Sequence, residues 1–116
     1  MISGEASVLR IEATTKNEDD PWDGFLESVG GNHHLQTSRW ASLKAASGWQ
    51  TLRLVMYRGD GIAGGVQILH RKAPIVGRVG FVSRGPVFAD SDPRLSDRLL
   101  AELGRAVRAE KFAYLM

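Results

Sequence analysis

No cysteine occurs among the 116 residues of this chain. Disulfide bonds, thiolate metal sites and a thiol nucleophile are therefore excluded. The sequence also contains no apolar run close to the roughly 20 residues that a helix needs to cross a membrane. Residues 1–5 have neither the basic start nor the apolar core of a signal peptide. We therefore expect a cytoplasmic protein.

Complete catalytic and metal-binding patterns are also missing. The sequence has no G-x-S-x-G motif of the kind that presents a nucleophilic serine. His33 and His34 are adjacent and His70 is remote from both, and none has a second ligand three or four residues away. We therefore predict surface or loop histidines and no metal site, and no catalytic residue can be assigned.

One glycine-rich segment resembles two nucleotide-binding motifs in letters only. Residues 59–64 match G-x-G-x-x-G, and residues 58–63 fit the R-x-x-G-x-A shape of acetyl-coenzyme A loops. The dinucleotide motif needs its glycines to open a helix whose N-terminus meets a pyrophosphate. A strand follows this segment instead, and the second motif fails on the same context. The pattern therefore predicts a hairpin turn.

What the chain does contain is an uneven distribution of charge. Its apolar share of 43%, charged share of 24% and net charge of +2 are typical of one globular domain. Residues 1–35 hold two basic and seven acidic side chains, whereas residues 36–116 hold thirteen basic and six acidic ones. The basic part could attract a phosphate-bearing partner such as RNA, a nucleotide-sugar or a membrane surface. Because the arginines are scattered, a solvated basic face is the simpler interpretation.

Hydrophobic periodicity predicts the order strand, helix, helix, three strands, helix and strand. The predicted strands occupy residues 7–14, 49–58, 62–71, 79–83 and 112–116. Glycines inside a strand weaken it, so Gly64 and Gly65 should mark a bulge or the close approach of another backbone or a ligand. The order of elements predicts an α/β fold, a central, largely antiparallel sheet flanked by about three helices.

Two of the three predicted helices begin with an aspartate followed by a proline, a common N-terminal signal. Asp20 should cap the first helix, and Asp92 should cap the third. The buried stripe of the first helix is predicted to contain Trp22, Phe25, Leu26 and Val29, and that of the third Leu95, Leu99, Leu103 and Ala106.

The second helix is the best-signalled stretch of the chain. Ser38, with Thr37 as the alternative, should cap its start, and Gly48 should end it. Trp40, Leu43 and Ser47 follow the spacing of its inner face. Lys44 stands one turn after Trp40 at the edge of that face, where it could meet a phosphate or extend along the surface into solvent.

Two further residues are candidates for ligand binding. Arg84, in Arg84-Gly85-Pro86 at a strand end, could hold phosphate or carboxylate in a cleft, or could be an incidental turn residue. Gln67, beside the paired glycines, could offer its amide to a ligand, or pair with solvent as an ordinary strand residue.

Three blocks of sequence stand out by their order and spacing. The blocks are Leu35-Gln36-Thr37-Ser38-x-Trp40 with Lys44 and Gly48-Trp49, then Gly64-Gly65-x-Gln67, then Ser83-Arg84-Gly85-Pro86-Val87 with Asp90. Together they resemble the N-terminal region of the Fem family of peptidoglycan-bridge aminoacyltransferases, and the resemblance covers residues 21–116. Each block is weak alone, and the ordered set is fairly specific.

The resemblance implies a GNAT-like half-domain and transfer of an amino acid from aminoacyl-tRNA to the stem peptide of a UDP-linked or lipid-linked muropeptide. It implies that Lys44 meets the diphosphate and that Asp90 lies on the same substrate side, while Trp40 and Arg84 shape the cleft. The resemblance implies neither a resident cofactor nor a DNA partner. It allows a cytoplasmic protein that lies peripherally near the membrane. The aminoacyl-tRNA would bind through a second GNAT-like unit absent from this sequence.

The sequence stops inside its last strand, so we expect residues 1–116 to be one N-terminal unit that is inactive alone. Two alternatives remain open. The first is an acyl-coenzyme A-dependent N-acyltransferase of the same fold, with acyl-coenzyme A as the co-substrate. The second is a non-catalytic module whose sheet edge at residues 112–116 pairs with a partner or a second copy.

Overall fold

A computed structural model describes residues 8–31 and 33–115 of the chain. Six strands and three α-helices lie in this part, with one 3-10 turn at His34–Gln36. In chain order they are β1 (Leu9–Thr14), α1 (Asp20–Val29), α2 (Ser38–Ala45), β2 (Gln50–Arg58), β3 (Gly61–Ala73), β4 (Gly77–Phe81), β5 (Val87–Phe88), α3 (Pro93–Ala109) and β6 (Phe112–Leu115). The predicted order is confirmed, with β5 and the 3-10 turn as additions. Ser7 and Met116, the outermost residues of two predicted strands, lie outside the described residues.

The sheet is a meander with one parallel strand at its edge. Its order is β1-β2-β3-β4-β6, and β1 to β4 pair antiparallel with their neighbours. β6 pairs parallel with β4, and α3 lies between β5 and β6 in the chain. The predicted, largely antiparallel sheet flanked by three helices is therefore confirmed.

One edge of β3 is shared between two different strands. β4 pairs with the end of β3 from Leu69 to Ala73, and β5 pairs with Gly64 and Gly65. β4 itself runs over Gly77–Phe81 and not over residues 79–83 as predicted, because its pairing continues to the hairpin turn at Ala73 and Gly77. Between the two pairings, the chain leaves the sheet edge and returns to it.

Each face of the sheet carries its own apolar core. The face under α3 is formed by Leu9, Leu54, Met56, Ala63, Val66, Leu95 and Leu99. The face under α1 is formed by Trp22, Phe25, Leu26, Val55 and Val87. Successive residues of β2 alternate between these cores, as the pleat of a strand requires. The predicted buried stripes hold for α1 and α3, where the later residues of each stripe are half-buried.

One helix cap differs from the prediction by one residue, and another is the predicted alternative. Asp19, not Asp20, caps α1, because its Oδ1 accepts a hydrogen bond from the Trp22 N–H at 3.1 Å. Thr37, the predicted alternative to Ser38, caps α2 through a 3.1 Å bond from the Trp40 N–H to its Oγ1. The cap of α3 is Asp92, as predicted.

The inner face of α2 was predicted wrongly. Leu43 is 62% exposed, and the buried residues are the small Ser38 and Ala41. Small side chains on the inner face let the α2 backbone lie close to what it packs on. The helix ends at Ala45, three residues before the predicted Gly48. Gly48 does have the predicted left-handed conformation, with a φ of +90°, and the Trp49 N–H donates back to the Lys44 carbonyl at 3.2 Å.

The paired glycines lie where neighbouring groups come closest to β3. A Cβ on Gly64 would meet the Val87 carbonyl at 2.9 Å, and one on Gly65 would meet the Leu54 carbonyl at 2.5 Å and the Trp22 ring at 2.7 Å. A β-bulge in β3 itself also lies next to this pair, because Met56 and Tyr57 of β2 pair with Gly64 and Ile62 and leave Ala63 as the extra residue. The predicted bulge and the predicted close approach are both confirmed.

His70 is buried in β3, which corrects the prediction that all three histidines are surface or loop residues. Its Nδ1 lies 2.8 Å from an Arg78 Nη1, and its ring packs against Phe112 at 5.2 Å between centroids. Burial lowers the pKa of His70, and the Arg78 charge lowers this pKa further against a weaker opposing effect of Glu110.

We predict that Gly65→Ala destabilises the chain by about 1–3 kcal/mol, since the added methyl group cannot clear a backbone oxygen and a buried indole. Urea unfolding followed by tryptophan fluorescence measures this. Gly24→Ala is the matched control, because a Cβ there meets nothing within 4 Å and helix propensity favours alanine by about 0.5–1 kcal/mol. Equal stability of the two variants would contradict the packing described here.

We predict that the free energy of unfolding falls as the pH drops below the ordinary histidine pKa of 6.5. A histidine whose pKa is lowered by folding binds its proton more readily in the unfolded chain, so acid favours unfolding. His70→Gln should flatten this dependence between pH 7 and the lowered pKa. Urea titrations at a series of pH values test it, and an unchanged slope in His70→Gln would assign the dependence to other groups.

Candidate functional site

The end of α2 and the start of β2 bring two tryptophans and a lysine together. Trp40 and Lys44 lie one turn apart on α2. The turn that follows the helix and contains Gly48 places Trp49 beside them. These residues border a hollow of about 230 Å³. Its lining is Trp40, Lys44, Trp49, Leu69, Phe81 and Ser83.

The walls of this hollow are aromatic and rigidly paired. Trp49 meets Phe81 edge to face, with ring centroids 5.3 Å apart and an interplanar angle of 72°. Leu69 and Phe81 are direct partners in the pairing of β3 with β4. Trp40 packs against the His34 ring at 5.2 Å. The hollow therefore offers flat apolar surface on an ordered frame.

Two cations lie at its rim. The Lys44 ammonium is 5.6 Å from the centre of the Trp40 ring and 5.8 Å from that of Trp49. The Arg71 guanidinium lies over Trp49 at 4.7 Å. Neither cation forms an ion pair with an acidic side chain in the part of the chain that the structure describes. Such a rim suits an anion attached to a planar or apolar group.

Gln36 is hydrogen-bonded to Ser83 in the wall of the hollow, and the sequence did not single it out as a site residue. Its Oε1 accepts from the Gln67 N–H at 2.8 Å, and its Nε2 donates to the Gln67 carbonyl at 3.1 Å and the Ser83 carbonyl at 2.9 Å. A Cβ on Gly85 would lie only 2.8 Å from its amide carbon. Gln36 thus fixes the segment that leads from the hollow wall at Ser83 into Arg84.

Gln67 does not present its amide to the hollow, which corrects the prediction of a ligand contact. The residue is 1% exposed. Its Nε2 donates to the Thr37 carbonyl at 2.8 Å, and its Oε1 accepts from Arg53 Nη2 at 2.6 Å and Nε at 3.0 Å. The side chain therefore anchors the start of α2, and it is not paired with solvent either.

Arg53 is the second residue that the sequence did not reveal. It is fully buried, and all five of its N–H groups are used: by Gln67, by Asp19 Oδ2 and by the Lys16 and Asn17 carbonyls. Burial lowers the pKa of Arg53, and the Asp19 charge opposes this. The available signal was the spacing of Arg53 and Val55, because residues two positions apart in a strand share a face and α1 covers this face of β2.

Of the other two predicted site residues, Arg84 lies at the edge of the hollow and Asp90 lies far from it. Arg84 is exposed with a φ of +57° and follows Ser83 at the edge of the hollow. Asp90 accepts a 2.6 Å hydrogen bond from Arg58, which lowers the pKa of this carboxyl. Arg58 ends the nine-residue β2 that begins beside Trp49, a separation of about 25–30 Å along the strand. The structure therefore brings Lys44 and Trp40 together but not Asp90, whose binding role stays a prediction.

The described residues contain neither a metal-binding cluster nor a membrane-spanning helix. No group of three or more histidine, aspartate or glutamate side chains is arranged there to hold a metal ion. None of the helices in these ranges is long and apolar enough to span a membrane.

Comparison with known proteins decides the family. Residues 17–116 match the FemAB family. This chain belongs to the FemAB family. It is 32% identical over 90 residues to the lipid II:glycine glycyltransferase of Staphylococcus haemolyticus, covering 77% of this chain and 22% of the relative. It is 30% identical over 97 residues to the enzyme of the same name from Staphylococcus saprophyticus, covering 83% and 23%. The FemAB chain thus spans less than a quarter of the length of these curated relatives.

Solved structures agree with the resemblance and establish the fold. The crystal structure of FemX superposes with a TM-score of 0.70 at 27% identity, covering 87% of this chain and 25% of FemX. A ribosomal-protein-alanine N-acetyltransferase from Brucella melitensis biovar Abortus 2308 superposes with a TM-score of 0.65 at 15% identity, covering 94% and 78%. The FemAB chain therefore has a GNAT-like fold, as the resemblance implied.

We predict that Gln36→Ala lowers the free energy of unfolding by about 2–4 kcal/mol, since it leaves buried main-chain groups of Gln67 and Ser83 without partners. Urea unfolding measures the change. Gln50→Ala is the control, because this exposed glutamine only accepts a surface hydrogen bond from Arg78. Loss of less than about 1 kcal/mol in Gln36→Ala would show that the three bonds are not structural.

Proposed function

We propose that this chain forms the precursor-binding part of a FemAB-type aminoacyltransferase. The complete enzyme would move an amino acid from aminoacyl-tRNA to the stem peptide of a lipid-linked or UDP-linked peptidoglycan precursor. The observation that carries the proposal is the position of Lys44, between two indole rings at the rim of an apolar hollow and without an acidic partner in the described residues. Trp40 and Arg84 belong to the same proposed surface.

The chemistry of this rim fits the phosphate-bearing part of such a precursor. An ammonium group beside aromatic walls binds phosphate through charge-assisted hydrogen bonds, which strengthen where water is partly excluded. The walls can meanwhile cover an apolar or ring-shaped portion of the same molecule. The names of the Staphylococcus relatives, lipid II:glycine glycyltransferase, support a lipid-linked precursor as the acceptor.

The transfer step assigns this chain a binding role. An amine of the stem peptide attacks the aminoacyl carbonyl, an amide bond forms, and the ester bond to the tRNA breaks. The residues that line the hollow include no carboxylate or histidine to act as a base, and the cations at its rim suit phosphate. Because the chain spans 22–23% of the length of the glycyltransferases, we expect the 116 residues to bind precursor without transferring an amino acid.

We predict that UDP-muropeptide binds the chain and that Lys44→Ala weakens binding by about tenfold or more, the equivalent of one charge-assisted hydrogen bond. Isothermal titration calorimetry measures both affinities. Arg105→Ala is the control, because Arg105 lies on the outer side of α3 and pairs there with Glu102. Equal weakening by both variants would show that net charge, and not the hollow, governs binding.

A thermal-shift comparison separates the proposal from an acyl-coenzyme A-dependent enzyme of the same fold. UDP-muropeptide should raise the unfolding temperature of the chain, and coenzyme A should leave it unchanged. The reverse result would favour acyl-coenzyme A as the co-substrate and contradict the proposed function.

A further inference from the structure

The turn between β3 and β4 carries an exposed apolar tip. The large hydrophobic residues that are exposed in the described chain are Val8, Leu43, Ile75, Val76 and Leu100. Only Ile75 and Val76 among them are sequence neighbours, and they follow Pro74 at the outermost point of the hairpin. Ile75 is fully exposed and Val76 is 48% exposed, so the fold itself gains no burial from the isoleucine.

The backbone of this tip is unfavourable for the residue that occupies it. Ile75 has a φ of +71°, a left-handed conformation that glycine or asparagine adopts easily and a β-branched residue rarely does. The Val76 N–H donates to the Pro74 carbonyl at 2.7 Å and closes the turn. An isoleucine held outward against its conformational preference points to a role for its apolar surface outside the fold.

Basic side chains surround the tip. Arg71 and Lys72 precede it on β3 and are exposed, and Arg78 follows it on β4 in direct pairing with Lys72. Residues 61–89 contain four basic side chains and no aspartate or glutamate. The hairpin therefore presents an exposed apolar tip with basic side chains on both of its strands.

We propose that the β3–β4 tip docks on an anionic lipid bilayer. Ile75 and Val76 would enter the boundary between headgroups and acyl chains, and Arg71 and Lys72 would meet lipid phosphates. Short apolar segments flanked by basic residues bind membranes in this way, through buried apolar area combined with attraction to anionic lipids. RNA would also match the charge, but the exposed Ile75 and Val76 are aliphatic and give bases no surface for stacking, whereas acyl chains can cover them.

The docking surface and the aromatic hollow lie on the same part of the hairpin. Arg71 packs on Trp49 at the rim of the hollow, and Leu69 in the hollow wall precedes Ala73 by four residues, about 13 Å along β3. A bilayer contacting the tip would therefore be next to the hollow. Docking of the tip on a bilayer does not depend on what the hollow binds.

Sedimentation of the 116-residue chain with vesicles tests the proposal. We expect binding to phosphatidylcholine vesicles containing phosphatidylglycerol and much weaker binding to phosphatidylcholine alone. Ile75→Asn should weaken binding to the anionic vesicles about tenfold through lost apolar burial. Lys72→Gln should weaken it about fivefold, the effect of one basic residue near an anionic surface.

Matched controls lie on α3. Leu100→Asn removes another exposed apolar side chain, and Arg98→Gln removes another exposed charge. Both should leave vesicle binding within about twofold of the unmodified chain, since neither belongs to the hairpin. Asparagine tolerates a positive φ, so Ile75→Asn should unfold at the same temperature as the unmodified chain or a higher one.

Three results would overturn the proposal. The first is that the unmodified chain does not sediment with anionic vesicles. The second is that Leu100→Asn reduces binding as much as Ile75→Asn, which would show an unspecific apolar effect. The third is that Lys72→Gln and Ile75→Asn reduce binding to an RNA oligonucleotide while vesicle binding stays the same, which would make the hairpin an RNA-binding surface. Loss of precursor binding in the Lys44 variant alone would leave the vesicle result unaffected.

Discussion

The fold of this chain depends on one side-chain amide that takes the place of a strand. Between its pairing with β5 and its pairing with β4, the edge of β3 has no neighbouring strand at Gln67. Gln36 occupies this place, accepting from the Gln67 N–H and donating to the Gln67 carbonyl as a paired strand would. Because Gln36 pairs with both peptide groups, β4 and β5 can occupy separate parts of the β3 edge without leaving buried donors and acceptors unpaired between them.

A buried polar cluster connects this point to the candidate site. Gln67 uses its own side chain to bind Arg53 and the Thr37 carbonyl, and Arg53 binds Asp19, which caps α1. The start of α2 is therefore fixed to the centre of the sheet through hydrogen bonds and not through apolar packing. This explains how a helix with a weak apolar face still holds an indole and an ammonium group in place over the hollow. Fully satisfied networks of this kind select one arrangement of the elements they join.

Features that depend on neighbouring residues could be predicted from the sequence, and contacts between residues far apart in the chain could not. The stripes of α1 and α3, the left-handed turn residue Gly48 and the close approach at the paired glycines all follow from neighbouring residues, and they hold. The roles of Gln36 and Arg53 do not, because their partners lie 14 to 47 positions away. The inner face of α2 was missed for the same reason, since long-range hydrogen bonds hold this helix where periodicity expects apolar contacts. Ordered motif blocks supplied the family and the GNAT-like fold, yet they could not show that Asp90 pairs with Arg58 at the far end of β2.

The substitution of a side chain for a strand has a consequence for dynamics. A peptide hydrogen inside a sheet normally exchanges with solvent only when strands separate, which needs many bonds to open together. The Gln67 hydrogen is retained by a single rotatable amide. Its exchange would therefore follow the rotation of Gln36, on a timescale independent of its neighbours in β3. The exchange rate of the Gln67 peptide hydrogen would therefore report how often the Gln36 side chain breaks its hydrogen bond to β3.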